Sequence, residues 1–131
     1  MLCSIYWRHQ DYGGGQDEVV HLRSSIAVAT SVGAPWAFTD RHAEVGHALF
    51  FDDLADLDQV PWAVMPLRRW SGPGVDMATK EKRQAEFLVH QRFPWAAIDE
   101  IACLPDAVAA RAAVAVRGSR PLLTVKPQWY Y

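Results

Sequence analysis

A chain of 131 residues, half of them apolar and 21% charged, is long enough to bury a core without disulfide or metal staples and too apolar to stay disordered. A net charge of −2 and a pI near 6.2 exclude a general electrostatic pull toward nucleic acid, so any such contact must come from a local patch. No apolar run approaches the roughly 20 residues of a membrane-spanning helix, and Cys3 and Cys103, each inside an apolar run, read as reduced buried thiols of a cytoplasmic protein rather than a disulfide framework.

In chain order, Met1–Tyr6 reads as a strand with no polar lead-in, which suggests that something has been lost upstream. Gly13-Gly14-Gly15 follows as a turn; it lacks the spacing and the following helix of a phosphate-binding loop. Glu18 to Leu22 is a second strand, and Ser24 or Ser25 caps a short helix that runs to Val32 and stops at Gly33. Pro35 to Thr39 is a brief strand, and Asp40 is placed to cap a helix from about Arg41 to Phe51. From Asp52 to Gly74, four aspartates and a Pro-Trp pair lead into Arg68-Arg69-Trp70-Ser71-Gly72-Pro73-Gly74, read as turns and then a surface loop. Gln84 to His90 returns to strand, Phe93-Pro94-Trp95 turns the chain, and Ile98 to Leu104 is a further strand. Pro105 and Asp106 open a helix to about Arg117 with Gly118 beyond it, and Leu122 to Lys126 closes the series. The elements predict a single α+β domain, residues 1–131, with a mixed, mostly antiparallel sheet.

The chemistry concentrates in Lys80-Glu81-Lys82-Arg83-Gln84-Ala85-Glu86-Phe87-Leu88-Val89. On a strand, alternate residues share a face, so Gln84, Glu86 and Leu88 are expected to point one way and Ala85, Phe87 and Val89 the other. A carboxylate among apolar neighbours, just after a basic loop, can be tuned for proton transfer or charge stabilisation. Between Arg68 and Arg83 there are five basic residues against two acidic ones. With Trp70, they would form a platform for single-stranded nucleic acid; a solvated charged loop is the plainer alternative. Six tryptophans in so short a chain read first as packing anchors. The five histidines have no metal-ligand spacing, the aspartates 52–58 read as a solvated face, and no metal is expected.

The run Lys82 to Val89, followed by Phe93-Pro94-Trp95, resembles the signature of the DarT family, DNA ADP-ribosyltransferases of bacterial toxin–antitoxin pairs. Tyr12-Gly13-Gly14, Val20-His21-Leu22, Phe38-Thr39-Asp40 with Ala43, Leu57-Asp58 before Trp62, and Trp129-Tyr130-Tyr131 agree in order and spacing, so the resemblance covers essentially the whole chain. It implies an ADP-ribosyltransferase-like fold that moves ADP-ribose from NAD to a base, typically thymine, in single-stranded DNA. Glu86 would be the catalytic glutamate and Gln84 the substrate-facing residue of the Q-x-E pattern. Residues from about 45 to 86 would form the substrate-recognising loop, with Arg69, Trp70, Lys80, Lys82, Arg83 and His42 as DNA contacts. The resemblance further implies an antitoxin macrodomain protein as a partner and no membrane association. The family's N-terminal NAD-binding portion has no counterpart here, and Met1 falls at an internal methionine of the family. The NAD contacts beyond Glu86 are therefore unassigned. The expectation is either an internal start or a remnant, and the alternative function is an inactive chain that still binds single-stranded DNA or an antitoxin.

Overall fold

The computed structural model describes residue 15, residues 18–118 and residues 121–130. The strand expected at 1–6, most of the glycine turn, Cys3 and Tyr131 lie outside the described residues. The chain divides into two compact units: one runs as far as Val32 and resumes at Phe93, and the other is Gly33–Arg92.

Among the described residues, the first unit holds three strands, β1 (His21–Arg23), β5 (Glu100–Cys103) and β6 (Leu122–Val125), in the order β1-β5-β6. β1 runs antiparallel to β5, and β5 runs parallel to β6. A parallel pair needs a crossover, supplied by a helix at Asp106–Ala115. Its alanine-rich sequence favours helix, Asp106 sits in its first turn, and Gly118 follows at φ +80°, as the sequence anticipates. Val108 and Ala109 on this helix close over Ile98, Ile101 and Cys103, flanked by Phe93, Ala112, Val116 and Leu123. As the central strand, β5 is buried along its whole length. Cys103 is a free thiol with no exposed surface, and burial pushes its pKa up.

The same strand buries a carboxylate. Glu100 is 4% exposed; it accepts from the Thr124 hydroxyl at 2.7 Å, from Arg23 opposite it at 3.0 Å, and pairs with Lys126. A further helix of this unit, Ile26–Ser31, is capped by Ser25, whose hydroxyl accepts the Val28 N–H at 3.2 Å. We number the helices α1 (Ile26–Ser31), α2 (Met77–Lys82) and α3 (Asp106–Ala115).

In the second unit, β2 (Trp36–Thr39) lies between β3 (Phe50–Phe51) and β4 (Phe87–Val89), antiparallel to both. Phe38 is opposite Phe51 on one side and Phe87 on the other. The rings stack in that row at 5.3 and 6.4 Å between centroids, with Trp36 stacked on Phe87 at 5.5 Å. Residues 54–59 and 62–64 form short 3-10 turns, and α2 is capped by Asp76, which accepts the Thr79 N–H at 2.8 Å.

Two expectations are corrected. No helix forms over 41–51: the N–H groups that Asp40 would cap are taken by distant acceptors. His42 N–H donates to the Glu81 carbonyl at 3.1 Å and Ala43 N–H to the Glu86 carboxylate at 2.9 Å, so the segment is a loop ending in β3. The basic run before Glu86 is the helix α2 rather than loop and strand. Gln84 sits in the turn that closes α2, its N–H on the Glu81 carbonyl at 3.1 Å, so it does not share a strand face with Glu86.

Glu100 carries a prediction. Hydrogen bonds from Lys126 and Thr124, then Arg23, outweigh burial and hold its pKa at about 2, below the ordinary 4.5. A carboxylate with a depressed folded-state pKa stabilises the fold above its ordinary value and loses that contribution as pH falls through the window from 4.5 to about 2. Glu100→Gln should lower the urea midpoint at neutral pH and flatten its decline across that window. A variant whose midpoint falls as steeply as the parent's would show that other carboxylates control acid unfolding.

Candidate active site

The candidate site lies within the second unit, where the ladder between β2 and β4 ends. The strand register places Thr39 opposite Phe50, and the bond from Thr39 N–H to the Glu86 carbonyl, 2.9 Å, extends the β4 register by one pair. Phe50, Thr39 and Glu86 therefore form a row next to the stacked phenylalanines and on the opposite face. Glu86 emerges from that row with its side chain 41% exposed.

One carboxylate oxygen is fixed. Oε2 of Glu86 accepts the Ala43 N–H at 2.9 Å and lies 3.7 Å from His42 Nδ1. That nitrogen also accepts the Glu44 N–H at 3.2 Å, which assigns the ring proton to Nε2. Oε1 of Glu86 carries no hydrogen bond among the described residues. A carboxylate oriented through one oxygen and open at the other can stabilise an adjacent developing positive charge or accept a proton.

The loop that supplies Ala43 and His42 is held by charge. Asp40 is 9% exposed; its Oδ1 accepts the Leu49 N–H at 3.0 Å and its Oδ2 accepts Arg41 Nε and a terminal guanidinium nitrogen at 2.9 and 2.7 Å. Burial pushes the Asp40 pKa up, but the bonds from Arg41 and Leu49 together bring it below the ordinary value; Arg41 is raised in turn, chiefly by that hydrogen bond. The guanidinium also reaches Glu81 of α2 at 3.7 Å, and His47 Nε2 lies 3.2 Å from the same carboxylate oxygen. An Asp–Arg–Glu chain thus fastens the loop to the helix that leads to Glu86.

The sequence-predicted contacts separate into groups. Glu86 and His42 come together. Trp70 is 8% exposed, with the Arg83 guanidinium over its ring at 5.7 Å, so this tryptophan packs inside its unit and is not an open stacking platform. Arg83 is half-buried against it. Arg69 donates to the Pro73 carbonyl across its own loop. Lys80 and Lys82 occupy the last turn of α2, where cations are favoured by the helix dipole, and Arg68 and Lys80 are exposed. Thr39, Arg41, Ala43 and Glu81 were not singled out for a role by the sequence, because each joins the site through a contact across a separation of 40 or more residues. Among the described residues no group of three or more His, Cys, Asp or Glu could hold a metal ion, and no helix is long and apolar enough to cross a membrane.

Asp40 is the testable element of this network. Hydrogen bonds to charged groups contribute about 1.5–3 kcal/mol, so Asp40→Ala should cost about 1–3 kcal/mol in urea unfolding. Asp40→Asn, which keeps a carbonyl for the Leu49 N–H, should cost less. Equal losses in the two variants would place the stabilisation in the Arg41 pair rather than in closure of the loop.

Comparison with known proteins bears on the family and the fold. The sequence profile of the family described as "ssDNA thymidine ADP-ribosyltransferase, DarT" matches residues 1–131. A protein of Thermus sp. (strain 2.9) named DNA ADP-ribosyl transferase is 38% identical over 135 residues, covering 100% of this chain and 63% of its own length. Solved structures of Thermus sp. 2.9 DarT, one in complex with ADP-ribosylated ssDNA and one with NAD+, each superpose with a TM-score of 0.90 at 36% identity. They cover 99% of this chain and 63% and 66% of their own. The α+β architecture is theirs, and the chain spans a little under two thirds of the Thermus relative's length. The chain belongs to the DarT family of ssDNA thymidine ADP-ribosyltransferases.

Proposed function

We propose that this chain carries the catalytic carboxylate of an enzyme that transfers ADP-ribose from NAD to a thymine base of single-stranded DNA. The observation that carries the reading is Glu86: an exposed carboxylate, anchored through Oε2 by a backbone N–H and open at Oε1, at the end of a strand in a chain matched to the family over its full length. The complexes of the Thermus relative with NAD+ and with ADP-ribosylated ssDNA support NAD as co-substrate and single-stranded DNA as acceptor.

In this reading NAD supplies an activated ribose whose bond to nicotinamide breaks, the electron pair leaving with nicotinamide. Glu86 stabilises the positive charge that develops at the ribose carbon, as carboxylates do in glycoside hydrolysis. The new bond forms to a ring nitrogen of the base, and the proton lost there is accepted by a carboxylate such as Glu86, a contribution of roughly 10²–10⁴-fold for general-base catalysis. A single strand suits the chemistry because the base is already free of the duplex. His42, 34% exposed at the side chain, would offer Nε2–H to the DNA, and the loop and helix from about 45 to 86 would recognise the strand, with Arg68, Arg69, Lys80 and Lys82 facing phosphates. A cytoplasmic toxin restrained by an antitoxin macrodomain protein completes the proposal.

Incubation of the purified chain with NAD+ and mixed-sequence single-stranded oligonucleotides, read by intact mass, tests it. The expected result is a gain of one ADP-ribose on the oligonucleotide, lost in Glu86→Ala and Glu86→Gln. No gain with NAD+ unconsumed would overturn transferase activity for this chain, and a gain that survives both substitutions would overturn the role of Glu86. Binding is tested separately. Arg68→Ala with Lys80→Ala should weaken oligonucleotide affinity and reduce the slope of log affinity against log salt by about 0.7 for each phosphate no longer neutralised. An unchanged slope would remove these residues from the interface.

A further inference from the structure

The end of the ladder between β2 and β4 departs from the regular pattern. In an antiparallel hydrogen-bonded pair each residue donates its N–H to the other's carbonyl. At Thr39 and Glu86 only half of that exchange is made by backbone alone: Thr39 N–H donates to the Glu86 carbonyl at 2.9 Å, while Glu86 N–H donates to the Thr39 hydroxyl oxygen, also at 2.9 Å. The hydroxyl stands in for the carbonyl. Its single proton goes to the Arg41 carbonyl at 2.6 Å, with the Glu86 carbonyl further off at 3.4 Å. Thr39 has no exposed surface, so water does not compete for these bonds.

The Arg41 carbonyl and the His42 N–H belong to one rigid peptide plane. Thr39 holds the carbonyl end, and the Glu81 carbonyl holds the N–H end at 3.1 Å. With that plane fixed, the next N–H, that of Ala43, points to Oε2 of Glu86 at 2.9 Å. The bonds form a closed circuit that leaves Glu86 at its amide, passes through the Thr39 hydroxyl and the 41–43 backbone, and returns to the Glu86 carboxylate. Successive hydrogen bonds of this kind polarise and strengthen one another.

We propose that Thr39 is a positioning residue for the Glu86 carboxylate, its hydroxyl coupling the backbone of Glu86 to the loop whose Ala43 N–H orients the side chain. The catalytic consequence rests on the transferase reading above; the coupling itself does not. Thr39→Val keeps the shape of the side chain and removes the hydroxyl, leaving the Glu86 N–H and the Arg41 carbonyl unpaired. Thr39→Ser keeps the hydroxyl.

Amide hydrogen exchange by NMR on the full chain tests the coupling, and steady-state transfer kinetics test its use. In Thr39→Val, protection of the Glu86 and Ala43 amides should fall by about tenfold or more, the worth of one or more hydrogen bonds, while the β4 amides of Leu88 and Val89 change by less than about threefold. Thr39→Ser should restore both amides. Transfer should lose kcat by about tenfold or more in Thr39→Val, with KM for NAD+ and for DNA within about threefold, and recover in Thr39→Ser. Unchanged protection at both amides in Thr39→Val would overturn the proposal, as would a loss spread evenly over β4. Should Thr39→Val fail to fold, Glu86→Ala decides: the circuit requires that it deprotect the Ala43 amide about tenfold and spare the Thr39 amide, and unchanged Ala43 protection would overturn it. A parent chain without transferase activity sinks the functional reading alone, because the exchange measurement stands without it.

Discussion

The stacked row Phe51-Phe38-Phe87 is the constraint on which the candidate site depends. Phe38 is 2% exposed and lies between the other two rings across three strands. Aromatic pairs contribute about 0.5–1.5 kcal/mol beyond their buried area, and they specify register because side chains alternate faces with a period of two. Slipping β4 by one residue would turn Phe87 outward. The same slip of β4 would carry Glu86 to the buried face. The apolar row thus sets the position of the charged group, although no phenylalanine in it need touch the chemistry.

Around Glu86, orientation comes from a loop rather than from a regular element. Asp40 closes that loop on Leu49 and pairs with Arg41, which reaches Glu81 of α2. A charged pair with one buried partner and one half-buried partner is costly unless the buried group's hydrogen bonds are made. Here the Asp40 carboxylate receives three, from Leu49 N–H and two guanidinium nitrogens. The loop that presents the Ala43 N–H is therefore tied at both Leu49 and Glu81, the second across a long sequence separation.

The two carboxylates Glu86 and Glu100 show how environment divides roles. Glu100 is 4% exposed and both of its oxygens are committed, to Thr124 and Lys126 on one side and Arg23 on the other. Saturated in this way, its charge serves the fold. Glu86 has one committed oxygen and an exposed side chain, so its charge remains available to an incoming group. Each sits beside apolar residues on or next to a short strand, and the difference in exposure and partners comes from the fold.

Local physics made much of the fold legible before any coordinates. Ser25 as a cap, Gly33 and Gly118 as stops, the alanine-rich helix after Pro105 and the strands near 36–39, 100–103 and 122–125 all follow from side chains acting on their own backbone. The linear order of residues around Glu86 also carried the family resemblance and singled out that carboxylate. What the sequence could not decide was where distant partners would compete with local ones. Asp40 and the following residues have helix-start chemistry, yet the Glu81 carbonyl and the Glu86 carboxylate claim the N–H groups that a helix would need. Trp70 in a basic, glycine-rich stretch looks like an exposed platform, yet its large apolar ring is buried. Thr39 is an ordinary strand residue until β4 arrives with the Glu86 N–H. Most of the elements, and Glu86 as the candidate carboxylate, were legible in the sequence, because those readings rest on residues close together in the chain. How Glu86 is held became visible in the folded chain alone, because its hydrogen bonds join residues more than 40 positions apart.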